Sequence, residues 1–180
     1  MKDIYVLLAE YNAYVNGVLY GLLEKVPPDL VTRDAGSYYG SILGLLNHIL
    51  RSDLGRLSRF RTGLQGFRSL ATASIDFDPA TAPKQLYDNL PDLWKRRKQV
   101  DEVFKAFAAE LTDDALRREV TSTNQKGEQE SFAVWEILLH LFNHQTHHRG
   151  QVSQILDAAG VQHDFSNIMT VLRMRKATKR

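Results

Sequence analysis

The sequence predicts an all-α domain, a bundle of long helices with one extended crossover. Long stretches carry apolar residues at i, i+3, i+4 and i+7. Prolines and glycines punctuate the ends of those stretches, and 43% of the 180 residues are hydrophobic, enough for one full core. A single domain covering residues 1–180 is expected.

Residues 2–24 place Ile4, Leu8, Tyr11, Val15, Val18 and Leu22 on one helical stripe, and Pro27 and Pro28 end it. Residues 31–39 read as loop, with Asp34, Gly36 and Ser37 as turn chemistry. Ser41 caps a second helix that carries Ile42, Leu45, Leu46, Ile49 and Leu54 to about Arg61, with His48 on it. Residues 63–83 read as a long connection of the kind that serves as a crossover in a bundle. The third helix has the tidiest repeat: Leu86, Leu90, Leu93, Arg97, Val100, Phe104, Phe107 and Leu111 alternate four and three residues apart. Pro91 falls in that series, so the helix either begins there or kinks. Two readings stay open for Arg97, the charged member of the stripe. Its aliphatic stem carries the charge out to solvent, or the guanidinium faces a pocket as a fixed cation for an anionic substrate group.

Residues 117–122 and 128–132, around a turn at 124–127, suggest a short β-hairpin. Ser131 or a neighbour then caps the last long helix, which runs to Ala159 and stops at Gly160. Trp135, Leu139 and Phe142 make its second side apolar as well, which implies a central position or a subunit contact. After a loop at 163–167, residues 168–176 form a short C-terminal helix.

Charge narrows the partners. With 23 basic and 21 acidic residues the net charge is +2, so no global field calls for nucleic acid. Lys95–Lys98 and the tail cations Arg173, Arg175, Lys176, Lys179 and Arg180 read as a solvated helix face and a chain end. Cysteine is absent, which rules out disulfides, thiolate ligands and a cysteine nucleophile and fits a reducing, cytoplasmic setting. There is no signal-peptide pattern and no run of 18 apolar residues, so a soluble, unprocessed chain without a membrane partner is expected.

Function concentrates in the last long helix. Four of the six histidines, His140, His144, His147 and His148, fall within nine residues. At about 100° per residue His144 and His148 lie roughly 40° apart, one turn above the other, on the stripe of Ile137, Leu141, Val152 and Ile155. A single histidine there would be a core residue bonded to a carbonyl; two at i, i+4 give the bite of a divalent-metal pair. The candidates for a third ligand are His48, His140 and His163. His140 and His148 are about 12 Å apart along a straight helix, too far to share an ion. His163 lies in a loop, whereas His48, mid-helix in an apolar setting, can be aimed inward. His48, His144 and His148 are therefore the expected metal ligands. The segment 144–148 falls in the frame of the zinc-protease pattern H-E-x-x-H, but Gln145 replaces its base and argues against peptide hydrolysis. A three-histidine metal with an open position lowers the pKa of bound water or of an incoming thiol, and here any thiol must be a cosubstrate.

The segments Gly40–Asp53 and Leu139–Gln151, the second containing N-H-Q-T-H-H-R-G-Q, resemble the DinB-like family along essentially the whole chain. The resemblance implies a four-helix bundle connected up-down-down-up, often a homodimer, with a divalent metal, commonly zinc or nickel, on three histidines matching His48, His144 and His148. His147, Arg149 and Gln151 belong to the same motif and are carried over as residues that support the ligands or pack beside them. Relatives that use low-molecular-weight thiols imply a metal-dependent thiol S-transferase-like enzyme acting on a small-molecule substrate, with Arg97 or Arg149 steering an anionic group. A metal-hydroxide hydrolase is a close variant. The alternative is a non-catalytic stress-induced protein with a structural or sensory ion.

Overall fold

The computed structural model describes residues 1–123 and 126–178. The expected turn residues Asn124 and Gln125, and the tail cations Lys179 and Arg180, lie outside the described residues. In chain order the elements are α1 (Lys2–Leu23), α2 (Pro28–Thr32), α3 (Ile42–Gly63), α4 (Arg68–Thr72), α5 (Leu90–Glu110), α6 (Asp113–Arg117), β1 (Glu119–Thr123), β2 (Gln129–Ala133), α7 (Val134–Ala158) and α8 (Ile168–Thr178).

The four long helices α1, α3, α5 and α7 form the bundle, and their relative directions follow from paired contacts. Tyr20, late in α1, stacks on Trp94, early in α5, at 4.6 Å, while the Met1 amino group meets Asp113 just beyond α5 at 3.0 Å. Those two helices are antiparallel. Asp53 reaches Arg97 and Phe60 lies 5.1 Å from Phe107, so α3 and α5 run parallel. Tyr5 donates to the Trp135 carbonyl and Arg149 to Asn12, which makes α1 and α7 parallel. The connection is therefore up-down-down-up, with the antiparallel β1–β2 hairpin before α7.

Local chemistry explains most boundaries. Ser41 Oγ accepts from the Gly44 N–H at 3.1 Å and starts α3. Asn89 Oδ1 does the same for Asp92 at 2.9 Å, and Pro91 sits in the first turn of α5, where its missing donor costs nothing. Pro91 thus lies in the first turn rather than at a kink, Leu90 opens the helix, and Leu86 belongs to its approach. Gly160, at φ +70°, closes α7. The cap of α7 differs from expectation: Ser131 lies in β2, and the Glu136 carboxylate instead accepts the Ala133 N–H at 2.9 Å.

Three short helices join the long ones, two of them within expected loops. Pro28 begins α2 rather than merely ending α1. Within the 63–83 connection, α4 buries Leu70 and is fastened by Glu110 of α5, which accepts the Ser69 N–H at 3.0 Å. Thr112 caps α6 at 3.0 Å, so β1 begins at Glu119 rather than Arg117. Five-residue helices are too short to complete an apolar repeat, and tertiary contacts hold them. The rest of the long connection is tied to α3 by Asn47, whose Oδ1 accepts from the Leu86 and Tyr87 N–H groups and whose amide donates to the Tyr87 carbonyl at 2.9 Å.

A polar network runs through the middle of the bundle and touches all four long helices. Arg97 is 1% exposed and pairs with Asp53 and Asp101. Gln145 donates to Asp53 at 2.7 Å; Asn12 and Asn16 donate to Asp101 at 3.1 Å; Arg149 donates to Asn12 at 2.6 Å and to Gln145 at 3.2 Å. Both expectations for Arg97 are corrected: its charge neither reaches solvent nor faces a pocket, because two buried carboxylates hold it. Burial pulls its pKa down, but Asp101 and Asp53 outweigh that and raise it. The second side of α7 is likewise mostly covered within the chain: Phe142 is buried, Trp135 packs partly against the core, and Leu139 remains 53% exposed.

Truncating Asp53 leaves Arg97 with one carboxylate and the Gln145 side-chain N–H without its acceptor. Asp53→Ala is expected to cost about 3–5 kcal/mol of unfolding free energy in urea, against about 1 kcal/mol or less for a surface change such as Asp88→Ala.

Candidate metal centre

The histidines meet where α3 and α7 cross. His48 Nε2 lies 2.9 Å from His144 Nε2, His148 Nε2 lies 3.1 Å from the same atom, and one ligating nitrogen from each ring falls within 4.8 Å of the other two. The i, i+4 spacing supplies the α7 pair, and the antiparallel run of α3 brings His48 across. Two imidazole nitrogens each about 2.0–2.1 Å from one ion are roughly 2.9–3.4 Å apart at right-angled to tetrahedral geometry, so the spacing suits a shared cation. Among the described residues no carboxylate or fourth imidazole joins the group.

The protonation states suit it too. Burial, then the neighbouring His148 and the Arg56 and Arg51 charges, pull His48 down to about 4. Burial, His148 and Arg56 pull His144 down to about 3. His148 is lowered by burial, which outweighs the opposing bond to Gln151. All three therefore present neutral rings at ordinary pH, the form in which imidazole binds a metal. His148 Nδ1 lies 2.7 Å from Gln151 Oε1, which accepts its proton and leaves the lone pair on Nε2. His144 Nδ1 is buried without a partner. Neutral imidazoles brought nitrogen to nitrogen at this spacing can turn their lone pairs on one divalent cation.

Tyr39 completes the surroundings, and nothing in the sequence marked it. Its ring stacks on His48 at 4.0 Å and its hydroxyl lies 3.0 Å from His48 Nε2. Gly44 makes this possible: a Cβ there would stand 2.0 Å from the Tyr39 carbonyl oxygen, so only glycine lets the 37–40 turn rest on the start of α3. Burial raises the Tyr39 pKa, with Tyr38 adding to it. Beside His48 opens a cleft of about 580 Å3, lined by Tyr38, Tyr39, Asn47, Arg51, Lys84 and Gln85 among others.

The remaining candidates are placed elsewhere. His140 stacks on His144 at 5.8 Å but is not one of the three converging rings. His163 is tied to Ser153 and, at 3.2 Å, to Asp157. His147 is exposed and touches His148 edge-on at 4.9 Å. Arg149 is buried against Asn12, Gln145 and Thr146 rather than beside the histidines, and Gln145 points into the same network.

A model of the DinB family matches residues 1–178. The chain belongs to the DinB family. It is similar to "Protein DinB" of Bacillus subtilis (strain 168), with 27% identity over 179 residues covering 99% of each chain. No solved structure matches. DinB membership and a three-histidine cluster of this geometry are together compatible with a metal site.

Because the folded state holds His48 and His144 below the ordinary 6.5, the unfolded chain takes up protons first on acidification. Their contribution to stability is present above about 6.5 and is lost as pH falls towards about 4 and then about 3. Denaturant titrations of metal-free protein should show stability falling across that window. His144→Ala should flatten the slope, and identical slopes for the two proteins would contradict the assignment.

Proposed function

We propose that the protein is a metal-dependent enzyme in which His48, His144 and His148 hold one divalent ion, zinc or nickel. The observation that carries this is the convergence of three neutral imidazoles from two helices next to an open cleft. Metal centres that catalyse usually have three protein ligands and one free position, whereas structural zinc is usually closed by four. When bound, the ion would lower the pKa of a small thiol or of water, giving a nucleophile at neutral pH. The chain's own residues would do the rest. Gln151 fixes the His148 tautomer, Tyr39 roofs the ligand set and offers a hydroxyl beside His48, and the cleft lined by Tyr38, Arg51 and Lys84 admits a small-molecule substrate. Without cysteine, any thiol arrives as a cosubstrate. A thiol S-transferase-like reaction is favoured over peptide hydrolysis because Gln145 occupies the position of the protease base and is engaged by Asp53.

A homodimer is part of the same proposal. Ile4 and Leu139, on the parallel helices α1 and α7, are 60% and 53% exposed, apolar side chains that a second copy would cover. No helix among the described residues is long and apolar enough to cross a membrane. A non-catalytic stress-response role with a structural or sensory ion is the competing proposal.

Metal analysis of purified protein tests the centre. About one ion per chain is expected in wild type, with loss of at least tenfold in affinity for His48→Ala and His144→Ala and a smaller loss for Gln151→Ala. Equal, negligible metal in all four would reject the enzyme. With the ion present, turnover of an electrophile by a panel of small thiols separates transferase from structural protein. Light scattering should give twice the chain mass, falling to the monomer in Leu139→Lys.

A further inference from the structure

We propose that the cleft between α3 and β1 is an oxyanion subsite that holds a phosphate, or a comparably compact oxyanion, at the far end of the small molecule on which the three-histidine centre acts. For that molecule's reacting end the inference rests on the proposed metal centre.

The cleft, about 600 Å3, is walled by Ser52, Arg56, Arg59 and Thr62 of α3, by Ser122 of β1, and by Arg51 beside the 79–83 segment. Every one of these side chains offers a hydrogen-bond donor, and no carboxylate lines the cleft. Arg51 is already engaged, donating to the carbonyls of Pro79 at 2.8 Å and Pro83 at 3.2 Å, and so fixes the wall. Arg56 and Arg59 are different. Among the described residues, Arg56 donates only within its own helix, to the Ser52 carbonyl and hydroxyl. Among the described residues, no carboxylate comes within ion-pairing distance of either guanidinium. Two adjacent guanidiniums without a carboxylate in contact repel one another, and burial lowers the Arg56 pKa, with the more distant Asp53 charge opposing that and Arg59 adding to it. Opposite them, Ser122 Oγ is buried and, among the described residues, has no hydrogen-bond partner. Two unpaired planar cations and an orphaned hydroxyl around one cavity make a donor set that a compact, multiply charged oxyanion satisfies.

Position ties the cleft to the histidines. Ser52 lies one turn along α3 from His48 and Arg56 two turns, about 12 Å along the axis. Arg51 lines both this cleft and the one beside His48, so the two adjoin. The Arg56 charge is felt at His48, His140 and His144. A molecule with roughly 10–12 Å between its anionic group and its reacting atom would span the two sites.

Calorimetric titration of the full-length, zinc-loaded protein with pyrophosphate and with inorganic phosphate tests the subsite. Saturable one-site binding is expected in wild type, in His144→Ala and in the control Lys95→Gln. Arg59→Gln and Arg56→Gln should weaken it about tenfold to a hundredfold. Arg59 is only half-buried, so Arg59→Gln keeps the fold, which circular dichroism checks. No saturable binding, or equal binding in both arginine variants, would overturn the subsite, as would loss in His144→Ala, which would assign the anion to the metal. Metal content is read separately, so arginine-dependent pyrophosphate binding by a metal-free protein would remove the centre and keep the oxyanion site.

Discussion

The Asp53–Gln145 hydrogen bond, 2.7 Å long and fully buried, fixes how α3 and α7 slide past one another. Asp53 is five residues from His48, and Gln145 is adjacent to His144. A slip of one helical turn would carry His48 about 5.4 Å along the axis and take it out of reach of the other two rings. The bond does not act alone. Arg97 clamps Asp53 from α5, and Arg149 ties Gln145 to Asn12 of α1, so all four long helices share one register. Apolar packing is comparatively indifferent to such a slip. Buried polar groups are not, because an unmatched donor or acceptor costs desolvation energy that no water restores.

Charge balance explains why so much polarity is tolerated inside. Arg97 and Arg149 are offset by Asp53 and Asp101, so the interior carries two charges of each sign. Burial raises both carboxyl pKa values, and Arg97 opposes that in each case. The net stabilisation from such a cluster is modest, since desolvation consumes most of the attraction, but its directionality is high. Specificity of helix register, more than stability, is what the cluster contributes.

Directly beside this polar interior lies the histidine set. The three imidazoles are kept neutral by burial and by surrounding positive charge, their Nε2 atoms face one another, and Tyr39 is folded over them by a turn that only Gly44 permits. The same positive surroundings continue along α3 through Arg51, Arg56 and Arg59. One helix thus presents a ligand to the centre and, one to three turns further along much the same side, cations to the neighbouring cleft.

Much of this was legible in the sequence. The apolar repeats defined all four long helices, Ser41 and Gly160 marked the ends of two of them, and the histidine spacing singled out His144 and His148, because helical periodicity and capping are local. What the sequence left open was decided at a distance. Arg97 looks on its own helix like either a surface cation or a pocket cation, and only the arrival of Asp53 from α3, beside Asp101 one turn further along α5, makes it an interior ion pair. Gln145 reads as a replaced catalytic base, yet one step along a helix turns it about 100° away from His144 and into the core. Tyr39 and the orphaned Ser122 hydroxyl carried no pattern at all. Sequence by itself determined which residues form helices and which faces are apolar, since those depend on neighbours within a few positions. Tertiary structure alone decided which polar side chains meet, since that depends on helix register, and register is set by buried pairs up to 137 positions apart, as in Asn12 and Arg149.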